Sequence, residues 1–241
     1  MENGNLKSNY PIHGYVKPGF EKVRNEFIKN FDKRGELGAA CSIYLKGEKV
    51  VDLWGGVKDH QTKKLWEEDT MVNVFSSTKG FSALAVAVAH SKGYFDYDDK
   101  VSTYWKEFGQ NGKENITIRQ LLNHQAGLST IKDLPIYKIS DFDTSKMIGE
   151  LEKKKPVWEP GSRHGYHCWT IGWLLSELIK RSYPHHRSLR DFFREEVAEP
   201  LEAEFYIGLP EHIDDSRVAN IKGLSSVLDL FKNFSTFPKS L

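Results

Sequence analysis

The stretch of this chain that could do chemistry is Val74-Phe75-Ser76-Ser77-Thr78-Lys79-Gly80-Phe81-Ser82-Ala83-Leu84. A serine and a lysine three residues apart share one face of a helical turn, within reach of each other. A serine hydroxyl is a weak nucleophile at neutral pH and needs a base beside it. A lysine partly desolvated at a helix N-terminus has its ammonium disfavoured, so the amine of Lys79 could serve as that base. The same helix start offers backbone N–H groups to an oxyanion forming on an attacked carbonyl. Taken alone, the stretch also reads as ordinary capping, since Ser76 or Ser77 can cap the first turn. Phe81 to Ala89 continues as an almost wholly apolar run, which predicts a helix buried all round.

Other reactive side chains form weaker patterns. His164 and His167 stand three apart and His185-His186 are adjacent, but no carboxylate or cysteine completes a metal-ligand spacing, so no metal is expected. His124 lies in an Asn-His-Gln-Ala-Gly turn, where a structural role is expected, closing a loop below the Ser76 helix. There is no glycine-rich phosphate loop and no dinucleotide fingerprint, so no cofactor is implied.

Composition narrows the classes further. The 241 residues are 39% hydrophobic and 12% aromatic, enough for a sizeable core in one large domain or two intimate lobes. A formal net charge of +1 argues against a nucleic-acid surface. Lys153-Lys154-Lys155 is the one like-charge run and reads as a solvated helix end. Cys41 and Cys168 make no disulfide framework. No apolar signal segment opens the chain and no stretch is long and apolar enough to span a bilayer, so a cytosolic, membrane-free protein is expected. Oligomeric state is not legible.

Around the Ser76 helix, residues 1–14 read as a loose arm and 15–241 as the folded domain. Phe20, Val23, Phe27 and Phe31 mark an amphipathic helix. Ala39–Leu45 and Lys49–Trp54 read as a hairpin turning at Lys46-Gly47-Glu48 and lying at a sheet edge. Thr117 caps a helix running towards His124, residues 143–153 form a short helix, and Tyr166–Arg181 forms a second buried helix. Further helices are expected over Ser188–Val197 and Gly223–Phe234.

Four stretches, in order, resemble the serine β-lactamase and penicillin-recognising enzymes, nearest to the class C branch and its related serine esterases. They are the hairpin from Ala40 to Gly56, Phe75-Ser76-Ser77-Thr78-Lys79-Gly80, Ile116 to Leu128, and Pro160-Gly161-Ser162-Arg163-His164-Gly165-Tyr166-His167-Cys168. The resemblance implies an α/β (α+β) fold in which an antiparallel sheet carries a helical lobe. It also implies that Ser76 attacks an acyl carbonyl while Lys79 and Tyr166 handle its proton. Tyr166 stands where that family has the tyrosine of its Tyr-x-Asn motif. Cys168 and Trp169 are then candidates to contact substrate, Trp158 and Trp169 could line an acyl pocket, and a small ester or amide is the implied partner.

Two departures qualify the likeness. Cys168 occupies the asparagine position and cannot supply an amide donor, which leans towards esters rather than lactams. No Lys-Thr-Gly or His-x-Gly follows Tyr166, so the family's closing strands, one of which completes its oxyanion hole, are expected to be absent. Two readings stay open: a serine hydrolase acting through an acyl-enzyme, or a catalytically impaired scaffold with a binding or regulatory role. Lactam or cell-wall peptide hydrolysis ranks behind both.

Overall fold

The computed structural model describes residues 9–130 and 143–222 of the chain, which divides into two units, residues 74–210 and the flanking segments on either side. The last predicted helix, Gly223–Phe234, lies outside the described residues.

The flanking unit holds an antiparallel sheet of three strands in the order β1-β3-β2. Strand β1 is Ile12–Val16, β2 Gly38–Leu45 and β3 Glu48–Gly56. The hairpin turns at Lys46 and Gly47, both with positive φ, as a tight two-residue turn between right-twisted strands requires. Helix α1, Glu21–Arg34, buries Phe27 and Phe31 against Val50, Val51 and Leu53 of β3. Two expectations change here. Ile12, His13 and Gly14 belong to β1, paired with Gly55, Trp54 and Leu53, so the arm expected over residues 1–14 ends before Ile12. That pairing also makes β3 the central strand, and only β2 of the hairpin lies at an edge. The second segment of this unit returns to Met71, whose N–H donates to the Arg217 carbonyl while the Ala219 N–H donates to the Met71 carbonyl.

The unit formed by residues 74–210 is helical. Its elements are α2 (Thr78–Ser91), α3 (Val101–Tyr104), α4 (Ile118–Leu122), α5 (Thr144–Lys153), α6 (Thr170–Ser182) and α7 (Leu189–Phe193). One core joins Ala85, Val86 and Ala89 of α2 to Trp105, Phe108, Ile118, Leu121, Leu174, Leu178 and Phe192. The cap at Thr117 is present and reciprocal. Its hydroxyl accepts from the Gln120 N–H, and the Gln120 side chain accepts from the Thr117 N–H. Helix α2 is not buried all round. Gly80, Phe81, Ala83 and Leu84 are exposed while Ser82, Ala85, Val86 and Ala89 are buried. Lack of a polar face showed that the helix could be covered everywhere, not that it is. The predicted helix Tyr166–Arg181 also starts later, at Thr170, leaving Tyr166 to Trp169 in a loop.

Candidate active site

Ser76 sits in a single 3-10 turn, Phe75–Ser77, that runs directly into α2. Neither Ser76 nor Ser77 caps the helix with its side chain. Instead the Lys79 ammonium, one turn along, donates to the Ser76 hydroxyl at 3.1 Å. Phe75, just before the nucleophile candidate, holds a φ of 45°. A bulky residue in the left-handed region stores about 1–3 kcal/mol of strain, which the surrounding fold must offset. Strain of this kind beside a reactive serine fits a sharp turn that presents the hydroxyl outward.

Folding brings Tyr166 to this pair from the loop before α6. The Lys79 nitrogen lies 5.1 Å from the centre of the Tyr166 ring. Hydrogen bonding to Ser76, then to Lys79, holds the phenol below its ordinary value, against the opposing effect of burial. The three residues singled out for chemistry therefore stand together, and Ser76 and Tyr166 are both open to solvent.

The loop that carries Tyr166 is held from beneath by His167, which is fully buried. Its Nδ1–H donates to the Gly165 carbonyl at 2.7 Å, and its Nε2 accepts from the Leu128 N–H at 3.0 Å. The Thr170 hydroxyl donates to the Leu128 carbonyl at 2.7 Å, so both polar groups of that one residue are pinned to the start of α6. Gly165 has no room for a side chain, because a Cβ there would stand 2.5 Å from the Trp158 ring. Trp158 thus packs under the loop and does not line the cavity beside Lys79.

Burial pushes the His167 imidazole down from 6.5 to about 4, with the nearby His124 adding to the effect and the Gly165 bond opposing it. A proton added at Nε2 would face the Leu128 N–H with no acceptor left for it. Unfolded chains take up that proton below pH 6.5, whereas the folded protein resists it down to about pH 4. Stability is therefore expected to fall as pH drops through this window, by about 3 kcal/mol once the descent is complete. Urea midpoints measured from pH 7 to pH 4 should show the slope, and His167→Gln should flatten it. An equal slope in both proteins would contradict the assignment.

Cys168 and Trp169 line a cavity of about 310 Å³ together with Phe75, Lys79, Ile171 and Ile207. Leu189 and Arg190 at the start of α7 also border it. Sequence reasoning missed Ile207 and the α7 residues, since nothing in the chain marks residues so distant as neighbours of Lys79. Among the described residues no group of three or more His, Cys, Asp or Glu side chains is placed to hold a metal ion.

Comparison with known proteins finds relatives in sequence and in fold. The chain is 34% identical over 214 residues to the esterase/beta-lactamase LipL of Mycobacterium tuberculosis, covering 87% of this chain and 48% of LipL. A crystal structure of a family VIII carboxylesterase superposes with a TM-score of 0.82 at 37% identity, over 95% of this chain and 62% of that one. EstA of Arthrobacter nitroguajacolicus matches with a TM-score of 0.77 at 33% identity, over 89% of this chain and 55% of EstA. The chain thus spans about half to two thirds of the length of these relatives. The family model described as Beta-lactamase matches residues 24–226, and the chain belongs to the beta-lactamase family.

Proposed function

We propose that this chain carries the nucleophilic centre of a serine hydrolase acting on carboxylic esters or small amides through an acyl-enzyme. The observation that carries the reading is the Ser76 hydroxyl accepting from Lys79 at 3.1 Å, with the Tyr166 ring 5.1 Å from that ammonium and its phenol held below its ordinary value by both residues. Because the Ser76 oxygen accepts from the ammonium, its own proton is free to point at the phenol oxygen. Tyr166, with its phenolate favoured, then takes that proton as the Ser76 oxygen attacks the carbonyl carbon. The Lys79 ammonium steadies the phenolate, and the proton passes on to the departing alkoxide. Water, deprotonated by the same phenolate, would release the acyl group and regenerate Ser76.

The apolar rim of Phe75, Trp169, Ile171 and Ile207 suits a short acyl chain, and a cavity of about 310 Å³ is at the small end for ligand sites. Similarity to LipL and to family VIII carboxylesterases supports an ester as the substrate. Cys168 in place of an amide donor disfavours a β-lactam. A short-chain aryl ester is therefore expected to turn over faster than a β-lactam, with both activities lost in Ser76→Ala. A β-lactam hydrolysed faster than the ester would overturn the substrate assignment, and ester turnover surviving Ser76→Ala would overturn the nucleophile.

A further inference from the structure

We propose that His124 is a positioning residue for this reaction, its backbone carbonyl and its imidazole gripping the chain on both sides of Tyr166 and so setting where the phenol points. The role rests on the catalytic reading of Tyr166 given above. The Gly165 N–H donates to the His124 carbonyl at 3.0 Å, and the His167 N–H donates to the His124 Nδ1 at 3.1 Å. One residue thus accepts from the N–H groups of the residues immediately before and after Tyr166. Its ring also lies against the phenol, with centroids 5.2 Å apart and the planes inclined at 59°. Tyr166 needs such support because its residue surface is 51% exposed and no helix holds its backbone. A further local bond, from the Cys168 N–H to the Tyr166 carbonyl at 2.9 Å, tightens the same turn.

His124 is itself fixed by the end of α4. Its N–H donates to the Leu121 carbonyl at 3.1 Å, and the next N–H, of Gln125, donates to the Gln120 carbonyl at 2.8 Å. With a φ of 58°, His124 takes the left-handed conformation that ends a helix and turns its carbonyl and ring towards the Tyr166 loop. Acceptance at Nδ1 places the imidazole proton on Nε2 and requires the neutral ring. Burial, then the charge of Lys79, then His164 all favour that neutral form. Tyr166 and His167 are the other titratable rings packed against it.

Two substitutions separate this role from simple folding. Asparagine tolerates the left-handed region and can set its amide oxygen near the place of Nδ1, so His124→Asn should keep the grip. Glycine keeps the backbone conformation and the carbonyl but loses the side-chain acceptor, so His124→Gly should loosen one side of it. The rate of covalent labelling of Ser76 by a fluorophosphonate, followed against probe concentration, reads the effect. The limiting rate should fall by about tenfold to a hundredfold in His124→Gly, with the half-saturating concentration little changed, and stay within about threefold of the unmodified chain in His124→Asn. Imidazole ¹⁵N shifts in the unmodified chain should show His124 as the Nε2–H tautomer. Equal limiting rates in the two variants, a loss confined to the half-saturating concentration, or an Nδ1–H tautomer would each refute the role alone. Failure of the unmodified chain to label would instead bring down the hydrolase reading, and this role with it.

Discussion

Replacing Lys79 with methionine should slow acylation of Ser76 by about a thousandfold, the middle of the range for loss of a proton-handling group. Methionine keeps the length and much of the volume of the lysine stem, so the loss would report the ammonium rather than packing. Two contributions disappear together. The bond from Lys79 Nζ to the Ser76 hydroxyl, 3.1 Å long, orients the nucleophile. The positive charge beside the Tyr166 ring, with its hydrogen bond, helps hold the phenol below its ordinary value. Without it the phenol moves back up, so the residual labelling rate should keep rising to higher pH than in the unmodified chain. Rates of fluorophosphonate labelling measured across the alkaline range supply both numbers. A loss smaller than about tenfold would assign the proton to another group.

Lys113→Met should destabilise the fold by about 3 kcal/mol, a large share of the roughly 5–15 kcal/mol that holds a domain together. Lys113 is fully buried, yet its ammonium donates to the carbonyls of Gln110, Glu152 and Lys154 at 2.9, 2.8 and 2.7 Å. Glu152 and Lys154 lie at the end of α5, where helix carbonyls have no partner along the helix. Asn111 donates to the carbonyl between them, Lys153, so the 111–113 segment caps this helix terminus. Burial pushes the Lys113 amine down to about 8, which leaves it charged at neutral pH, where the helix C-terminus favours it. An apolar replacement removes the cost of burying that charge but cannot replace the carbonyls of Glu152 and Lys154. Gln110 keeps the Lys113 N–H as a partner, whereas the Glu152 and Lys154 carbonyls both lose their bond from the ammonium. Unsatisfied backbone wins over relieved desolvation, because main-chain acceptors cannot be exchanged for apolar groups. Denaturant midpoints would check this, and a change below about 1 kcal/mol would show that water satisfies the α5 terminus instead.

Lys113 also marks the boundary of what the sequence reveals. It stands in a polar run, Asn111-Gly112-Lys113-Glu114-Asn115, whose composition reads as solvated loop. Only the return of α5 over this run buries it, and no local pattern encodes that return. The hairpin, the amphipathic face of α1, the Thr117 cap and the buried stripe of α6 were legible, because each follows from local periodicity or turn chemistry. Ser76 and Lys79 were legible as a pair because a single turn of chain sets their separation. Tyr166 was legible only through resemblance, since a tyrosine ahead of an apolar run has no signature of its own. Strand β1 escaped notice because Ile12-His13-Gly14-Tyr15-Val16 is short and mixes polar residues and a glycine. Its place is fixed by the partner strand β3. The helix expected from Tyr166 onward begins late for a related reason. The Gly165 and His167 N–H groups both donate to His124, a residue remote in the chain, which holds this segment as a loop up to Trp169.

The catalytic reading of Ser76 is tested most directly by mass spectrometry of the folded chain after exposure to a fluorophosphonate. One adduct per chain, mapped to the peptide containing Ser76 and absent in Ser76→Ala and in protein unfolded before exposure, is the expected result. Folded protein that takes up no label, or takes it up at another residue while Ser76 stays free, would contradict the assignment of Ser76 as an activated nucleophile.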